Sequence, residues 1–409
     1  MKILLSGGWG YGNIGDDAIM LSSIELIKSK FPKAHIVLIT TSPKEAELLL
    51  EGKDDITIET SLYNGIFGYY RFSHSKSNGK FKNILKERIK AKISHWKKSN
   101  NKLAKEYVEN KEIFISKYKK EIIKFKDLCK GADMYVMSGG GYQNDWVSMD
   151  ITKNIEVSFA HNYGMKCYMI GQTIGKFKYD ETFKIVQQTC SMMDGIFYRD
   201  IYSINDTKSM GANCLEYVVP DIALYSRYDF EKKKQMVIIP FNFDIVDNLT
   251  IFTNDVKKIS DVANLKVIVC VSQLWEGALN IALKLYDKLL EDEVSTELMI
   301  PKNVIELQRI LGESKLVISQ NLHGLILSYR SGVPIICLND GRKFLSFLDS
   351  IGRSGEVVTP RNMKEGEMLS MYLNMKANNI DVREDLSKKV KEAFDCTVTL
   401  LPKSVQVAK

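Results

Sequence analysis

The chain of 409 residues has only eight prolines and contains no apolar run near 18 residues. Few prolines argue against long disordered spacers, and without a long apolar run we expect no membrane-spanning helix. The apolar residues Ile3–Leu5 are followed almost at once by glycines. They are too few for the apolar region of a signal peptide. These absences predict a cytoplasmic protein.

Cysteine is present but shows no pairing pattern, because the seven cysteines are scattered and none forms a C-x-x-C motif. An odd, scattered set is typical of reduced thiols in the cytosol, where most buried cysteines act as small apolar side chains. The five histidines also lack metal-ligand spacing: His35, His74, His95, His161 and His323. We therefore predict that the protein holds no metal.

Two further absences concern the glycine-rich loop that follows the first apolar run. Residues 10–15, GYGNIG, fit the pattern G-x-G-x-x-G. A dinucleotide site also needs a carboxylate at the end of the second strand, about 20 residues on, to bind the ribose hydroxyls. That strand ends in Ile39-Thr40-Thr41-Ser42, and the chain has no P-loop motif. The sequence thus argues against a nicotinamide cofactor, and we predict no cofactor at all.

The net charge of +7 comes from one segment. Residues 80–130 contain 17 Lys and Arg against 6 Asp and Glu, so the rest of the chain is slightly acidic. Apolar residues recur there at helical spacing, as in Phe114, Tyr118, Ile122 and Phe125. We interpret the segment as basic amphipathic helices, either packed on the domain or lying on anionic lipid. Nucleic acid is the least favoured partner, because no recognition motif accompanies the charge.

Outside that segment, short apolar runs alternate with helical patterns. Runs without polar alternation are typical of parallel strands buried on both faces. The pattern predicts an α/β protein with two Rossmann-like domains and parallel sheets. We expect an amino-terminal domain over 1–228, with a basic helical insert at 61–130. A carboxy-terminal domain over 229–362 and a helical tail over 363–409 complete the prediction.

Four glycine- or amide-rich loops follow predicted strands. In open α/β sheets, ligands bind beyond the carboxyl ends of the strands, so the loops predict a cleft between the two domains. In the first loop, Asp16 and Asp17 begin a helix; one of them either caps the helix or contacts a ligand hydroxyl. The loops span residues 7–15, 138–141, 171–175 and 319–324.

Six segments follow one another between residues 3 and 343: GYGNIGDDA, SGGGYQND, IGQTIGKF, YRDIYS, VVPDIAL and SQNLHGLILSYRSGVPIICLNDGRK. Taken together and in this order, they resemble the polysaccharide pyruvyl transferase family. This resemblance implies a glycosyltransferase-B-like fold. It also implies transfer of pyruvate from phosphoenolpyruvate to two hydroxyls of a polysaccharide or lipid-linked sugar, as a cyclic ketal.

The resemblance also implies roles for individual residues. His323 is expected as the general acid or a donor ligand, with Asp16 as the second catalytic group. The expected donor-binding residues are Arg199, Asn321, Leu322, His323 and Lys343. The expected acceptor-binding residues are Gly12, Asn13, Asp16, Gly140 and Asp145.

One departure from the family stands at Asn321, where the family has an arginine. The change removes a charged, forked donor from the expected clamp, and Arg330, Arg342 or Lys343 are candidates to replace it. It leaves two alternatives open: a nucleotide-sugar-dependent transferase of the same fold, or a sugar-binding protein without turnover. An acceptor on a lipid carrier also fits a protein on the inner face of the plasma membrane.

Overall fold

The structure is a computed structural model that describes residues 1–9, 14–67, 101–211, 214–273, 276–375 and 381–398. The chain forms two compact units. The first comprises residues 1–8 and 31–218, and the second comprises residues 9–30 and 219–398.

The first unit is built on an eight-stranded parallel sheet in the order β3-β2-β1-β4-β6-β7-β8, with β5 paired to β6. The first six strands of this sheet are β1 (Lys2–Ser6), β2 (His35–Thr40), β3 (Ile56–Thr60), β4 (Met134–Met137), β5 (Gly140–Gln143) and β6 (Lys166–Ile174). The last two are β7 (Gly195–Tyr198) and β8 (Leu215–Val218). The central strands are continuous apolar runs because both of their faces are buried.

Helices cover the sheet of the first unit. They are α2 (Pro43–Leu49), α3 (Leu62–Phe67), α4 (101–109), α5 (Lys111–Lys117), α6 (Lys119–Cys129), α7 (Val147–Asn162), α8 (Asp180–Ser191) and α9 (Ile201–Thr207), with a 3₁₀ turn at Lys208–Met210. Helix α7 lies in the middle of the core, where Ile151 and Ile155 pack with Tyr135 and Met169 of the strands.

The second unit contains a five-stranded parallel sheet in the order β11-β10-β9-β12-β13. Its strands are β9 (Gln235–Ile239), β10 (Lys266–Cys270), β11 (Thr296–Met299), β12 (Leu316–Ser319) and β13 (Ile335–Cys337). Its helices, beside α1 (Ile14–Lys30), are α10 (Asp244–Asp247), α11 (Leu249–Ala263), α12 (Glu276–Glu291), α13 (Val304–Gly312), α14 (Leu322–Arg330), α15 (Arg342–Ser350), α16 (Glu367–Met375) and α17 (Arg383–Val398). Short 3₁₀ turns lie at Ile222–Leu224 and Pro360–Asn362. The prediction of two parallel-sheet α/β domains is confirmed.

The division into units differs in detail from the predicted domain ranges. The first unit ends at residue 218, before the predicted boundary at 228, and α1 belongs to the second unit although it follows β1. Helix α1 packs against the Ile222–Leu224 turn, α13, α14 and α17. The tail predicted at 363–409 is helical over α16 and α17, and both helices belong to the second unit.

The basic insert is described only in part, since residues 68–100 lie outside the described ranges. The predicted stripe over 114–125 does not form one helix, because the chain turns at Tyr118 between α5 and α6. Phe114, Ile122 and Phe125 are buried. Phe114 and Phe125 join the core of the first unit together with Tyr107 of α4. This part of the insert is packed on its domain, as one of the two interpretations expects.

Candidate functional site

In the second unit, the loop from β12 into α14 places His323 on the first helical turn. Asn321 is the N-cap, and its side-chain oxygen accepts a hydrogen bond of 3.1 Å from the backbone N–H of Gly324. Ser319 fixes the approach, since its Oγ accepts from the Asn321 N–H and donates to the Asn321 carbonyl, both at 2.9 Å. A polar cap after a buried strand starts a helix at this position.

The imidazole of His323 packs against the first turn of α1, where Gly15 leaves room for it. A Cβ on Gly15 would fall on the His323 ring. Asp16 follows, and its Oδ1 lies 3.9 Å from Nδ1 of His323. Both side chains are largely buried, with 10% of the His323 side chain and 15% of the Asp16 side chain exposed. The structure thus brings together the two residues predicted as catalytic.

This corner, Gly15–Asp16 with His323, has the parts of an acid–base pair. A carboxylate beside one ring nitrogen orients an imidazole, and imidazole is the side chain that exchanges a proton most readily near neutral pH. Asp16 lies within the first turn of α1 rather than at its N-cap.

Three other predicted residues of the second unit have contacts that do not by themselves indicate donor binding. The amide oxygen of Asn321 serves as a helix cap, and Leu322 is buried. Lys343 is exposed on the first turn of α15, with its ammonium 5.5 Å from the ring centroid of Phe344. The donor-binding roles of Asn321, Leu322 and Lys343 stay predictions.

Arg330 is engaged in the interior and does not fit the role of a substitute donor ligand. Its Nη1 donates to the Ala223 carbonyl at 2.7 Å and to the Ser22 hydroxyl at 3.3 Å. Its Nε donates to Oε1 of Gln308 at 2.7 Å, and its guanidinium lies 4.6 Å from the ring centroid of Tyr228. Burial lowers the pKa of Arg330 to about 10. Because Ser22 lies on α1, these contacts tie the carboxyl end of α14 to the helix that carries Asp16.

In the first unit, Arg199 follows β7 and is held by Thr173. Its Nε and Nη2 donate to Thr173 Oγ1 at 3.0 and 2.8 Å, and the Thr173 hydroxyl donates to Oδ2 of Asp200 at 3.0 Å. Asp200 in turn caps α9 by accepting from the Ser203 N–H at 2.8 Å. A side chain built on Gly141 would start 4.0 Å from Nη2 of Arg199. The guanidinium therefore lies beside the glycine loop that contains Gly140.

That glycine loop holds two predicted acceptor residues. Gly140 has φ 146°, and the ring of Tyr142 lies where a Cβ on Gly140 would be. Asp145 has a left-handed φ of 71°, and its Oδ2 accepts from the Lys178 N–H at 2.7 Å. The predicted strand over 133–141 is interrupted here, since β4 ends at Met137 and β5 starts at Gly140. Gly12 and Asn13, also predicted to bind the acceptor, lie outside the described residues.

The sequence did not reveal a buried ionic network beneath the end of β1. Lys153 and Glu156 of α7 are fully buried, and Nζ lies 2.9 Å from Oε2. Ser6, which ends β1, donates to Glu156 at 2.8 Å and accepts from Lys153 at 2.6 Å, while Tyr135 donates to Glu156 at 2.8 Å. The only signal was a Lys and a Glu three residues apart, which is far commoner on exposed helix faces.

Within the described ranges, no three His, Cys, Asp or Glu side chains are grouped so that they would hold a metal ion. None of the helices described here is both long and apolar enough to cross a membrane.

Comparison with known proteins assigns the family. The family model for polysaccharide pyruvyl transferases matches residues 13–341, well over half of the chain, and the chain belongs to this family. It is similar to the amylovoran biosynthesis protein AmsJ of Erwinia amylovora, with 20% identity over 434 residues and 96% of each chain covered. The family predicted from the sequence is confirmed.

Solved structures confirm the fold class. UDP-GlcNAc 2-epimerase from Methanocaldococcus jannaschii has a TM-score of 0.59 at 12% identity, covering 98% of this chain and 100% of that one. The Neisseria meningitidis epimerase bound to UDP-GlcNAc has a TM-score of 0.56 at 11% identity, with the same coverage. At such identities the likeness concerns the fold alone, which is glycosyltransferase-B-like.

Proposed function

We propose that the protein transfers the pyruvyl group of phosphoenolpyruvate to two hydroxyls of a sugar in a surface polysaccharide or its lipid-linked precursor. The family assignment supports a transferase of this kind, and the similarity to a protein of amylovoran biosynthesis supports a polysaccharide pathway. The observation that carries the proposal is the corner of Gly15, Asp16 and His323, where Oδ1 and Nδ1 lie 3.9 Å apart.

The reaction requires one proton to be added and two to be removed. The methylene carbon of phosphoenolpyruvate takes a proton and becomes a methyl group, which leaves an electrophilic carbon bearing the carboxylate and the phosphate ester. One sugar hydroxyl attacks that carbon and loses its proton. The bond to the phosphate oxygen then breaks, and the second hydroxyl attacks with loss of its proton. One of the two hydroxyl protons replaces the proton given to the methylene carbon and the other leaves on the phosphate, so the products are a cyclic ketal and inorganic phosphate.

We assign these steps to the predicted residues. His323 supplies the proton to the methylene carbon, and Asp16 orients the imidazole and accepts a proton from an acceptor hydroxyl. Arg199 and Lys343 bind the carboxylate and phosphate of phosphoenolpyruvate. A hydrogen bond from a charged group to such an anion is about twice as strong as one from a neutral group. The Asn321 side chain caps α14, so we assign donor contacts at this turn to backbone N–H groups at the helix N-terminus. Asp145 binds the acceptor.

The test is phosphate release from phosphoenolpyruvate in the presence of lipid-linked sugars, with the ketal methyl group followed by NMR. We expect release that depends on the acceptor, and a loss of at least a hundredfold in His323→Ala and Asp16→Asn. The exposed His161→Ala is the matched control and should keep full activity. Ketal formation that persists in His323→Ala would contradict the assigned role. Sugar transfer from a nucleotide sugar, or sugar binding without turnover, would support one of the alternatives instead.

We further propose that the protein acts at the cytoplasmic face of the membrane, where a lipid-linked acceptor would lie. The excess of basic residues over 80–130 supports this placement. Flotation with anionic liposomes should recover the protein in the lipid fraction, and deletion of residues 80–100 should abolish that recovery. Equal flotation of the deleted protein would refute the role of the segment.

A further inference from the structure

The first unit buries polar side chains that the proposed reaction does not use. They lie where β5 and β6 end and α7 begins. Gln143, Gln172 and Asp150 are all completely buried. Six side-chain atoms of this region have no hydrogen-bond partner within the described residues: Gln143 Nε2 and Oε1, Gln172 Oε1, Asp145 Oδ1, and Asp150 Oδ1 and Oδ2.

The sheet register places the two glutamines on the same face. Gln143 of β5 is the register partner of Ile174, and Gln172 is the partner of Tyr198 on the other side of β6. Residues two apart on a strand share a face, so Gln172 points to the same side as Ile174. Ile174 and Tyr198 belong to the core that also contains the inner side chains of α7. Both glutamines therefore point into the layer that α7 covers.

Asp150 lies in the first turn of α7, which follows the loop after β5. Its two carboxyl oxygens are buried, and it is electrostatically coupled to Asp145. Burial and the negative charge of Asp145 raise the pKa of Asp150 well above its ordinary value of 3.8. A carboxyl group that keeps its proton can donate one hydrogen bond as well as accept others.

Unpaired buried atoms are expensive. More than about 90% of buried polar groups in proteins are hydrogen-bonded, and each one that is not costs about 1–3 kcal/mol. The buried Gln320 of the second unit shows the ordinary case, since its oxygen accepts from two backbone N–H groups and its amide donates to Asp244. Six unpaired atoms in one region therefore indicate that another molecule completes them.

The donors and acceptors among the six unpaired atoms indicate which class of ligand they would bind. Gln143 offers a donor and an acceptor, which matches the double character of a hydroxyl group, and the oxygens of Asp150 add acceptors. The four side chains include no cation, so they do not suit a phosphate or carboxylate. A metal ion is also disfavoured, because the amide N–H of Gln143 would face it and the positive end of α7 would repel it.

Aromatic rings border the same loop. Tyr142 packs over Gly8, where a Cβ would come within 2.7 Å of its ring. Trp146 lies 6.1 Å from Tyr142 and 6.2 Å from Tyr63, measured between ring centroids. Trp146 and Gly141 are partly exposed, so the loop reaches the surface. Apolar ring faces beside a few buried polar groups are typical of sites for small neutral ligands.

From these observations we propose that Gln143, Gln172 and Asp150 form a subsite that binds hydroxyl groups of the acceptor sugar. The proposal rests on the proposed function for the identity of the ligand as an acceptor, and it adds three residues to the predicted contact at Asp145. Gln172 is fixed by its own donation to the Ser138 carbonyl, so its remaining oxygen accepts from the sugar.

The experiment measures sugar binding separately from catalysis. Wild-type protein and Gln143→Met are titrated with methyl β-galactoside, methyl β-glucoside and methyl β-mannoside by saturation-transfer NMR, and thermal unfolding is recorded without ligand. We expect at least one glycoside to bind wild-type protein and to bind Gln143→Met at least tenfold more weakly. Gln235→Met, the same substitution on β9 of the second unit, is the control and should bind like wild type.

Thermal unfolding separates a ligand site from a structural one. Removal of unpaired atoms should leave the melting temperature of Gln143→Met equal to or above that of wild type. A clear fall in melting temperature with unchanged glycoside binding would show that ordered water alone completes the group, and it would overturn the proposal. So would a wild-type protein that binds none of the three glycosides.

Asp150→Leu provides a second variant, an apolar side chain of similar shape, in case Gln143→Met does not fold, and it should also weaken glycoside binding at least tenfold. Phosphate release from phosphoenolpyruvate is assayed in parallel. If no acceptor gives release but Gln143→Met loses glycoside binding, the subsite stands and the transferase proposal fails. If release occurs and the acceptor KM is the same in Gln143→Met, the subsite proposal fails alone.

Discussion

Both units bury a group of glutamine and charged side chains, but they use the polar atoms differently. In the second unit, Arg330 and Gln308 satisfy each other, and Gln308 also donates to the Leu327 carbonyl and the Ser331 hydroxyl. In the first unit, Gln143 and Asp150 make no hydrogen bonds with their side chains to any described residue. Burial alone therefore does not assign a role: paired atoms hold the fold, whereas unpaired atoms indicate a ligand.

The largest loss of stability is expected in the second unit, at the hydrogen-bonded pair of Arg330 and Gln308. Arg330→Met should lower the free energy of unfolding by about 3 kcal/mol, because it leaves the Gln308 oxygen and the Ala223 carbonyl buried without their donor. Urea unfolding measures the loss. Arg330→Lys keeps the charge without the fork and should be intermediate. If Arg330→Met is as stable as wild type, the hydrogen bonds of Arg330 and Gln308 do not stabilise the fold, and the contrast with Gln143 and Asp150 is lost.

The second largest loss of stability is expected at the amino-terminal ends of α1 and α14, where Gly15 and His323 meet. Gly15→Ala should cost about 2 kcal/mol of stability through overpacking against His323, although alanine normally favours a helix. It should also abolish phosphate release, since the imidazole must move away from Asp16. Gly65→Ala on α3 would meet Cγ of Glu121 at 2.6 Å, so it should also lower stability through overpacking, but it should leave phosphate release unchanged. An active Gly15→Ala would argue against the His323 corner as the catalytic centre.

In the first unit, the paired chain from Arg199 through Thr173 to Asp200 should show a smaller effect. Thr173→Val removes the acceptor of two guanidinium donors, so we expect kcat/KM for phosphoenolpyruvate to fall about tenfold, or about 1.4 kcal/mol. Thr173→Ser keeps the hydroxyl and should restore the activity. The pattern expected of a positioning residue is a raised KM for the donor with unchanged KM for the acceptor. A fall in melting temperature without a change in KM would leave Thr173 a purely structural role.

The smallest effect is a gain in stability rather than a loss, and it tests the unpaired carboxyl group of Asp150. Because the folded-state pKa of Asp150 is raised, the unfolded chain loses this proton near pH 4 while the folded chain keeps it. Stability of the wild type therefore falls as pH rises from about 4 toward the folded-state pKa. Asp150→Asn does not titrate, so its stability relative to wild type should increase by about 1 kcal/mol between pH 4 and pH 7.

Asp292 is the matched control for that pH series. Its hydrogen bond with Lys288 lowers its pKa, so its contribution is present above the unfolded pKa and is lost on acidification. Asp292→Asn should therefore lose stability relative to wild type as pH rises through the acid range up to about pH 4, in the direction opposite to Asp150→Asn, and should then stay nearly constant to pH 7. Urea titrations at each pH give both series, and a flat series for Asp150→Asn would show that its carboxyl is ionised in the folded protein.

Local patterns predicted much of this fold. Continuous apolar runs such as 35–40 and 316–319 form central parallel strands, because burial on both faces leaves no other arrangement for them. The edge strand β3 was missed, since Ile56 and Ile58 alternate with polar residues over only five positions. The break at Tyr118 was missed as well. Tertiary packing of Phe114 and Phe125 prevails there over helical periodicity.

The residues of the candidate site were singled out from residue type and motif, but their long-range partners were not. His323 and Asp16 were both identified from their motifs, but their contact depends on the missing Cβ of Gly15 on another helix. The role of Thr173 depends on a residue 26 positions away. The unpaired state of Asp150 could not be foreseen at all, because a sequence does not show which polar atoms lack a neighbour.

The assignment of α1 to the second unit has a consequence for dissecting the protein. The chain passes from the first unit to the second after residue 8, returns after residue 30, and passes over again after residue 218. A gene fragment that starts at codon 219 would therefore encode the second unit without the helix that carries Asp16 and Ser22. Neither half can be expressed as one uninterrupted piece, whereas a fusion of residues 9–30 to the start of 219–398 would restore the missing segment.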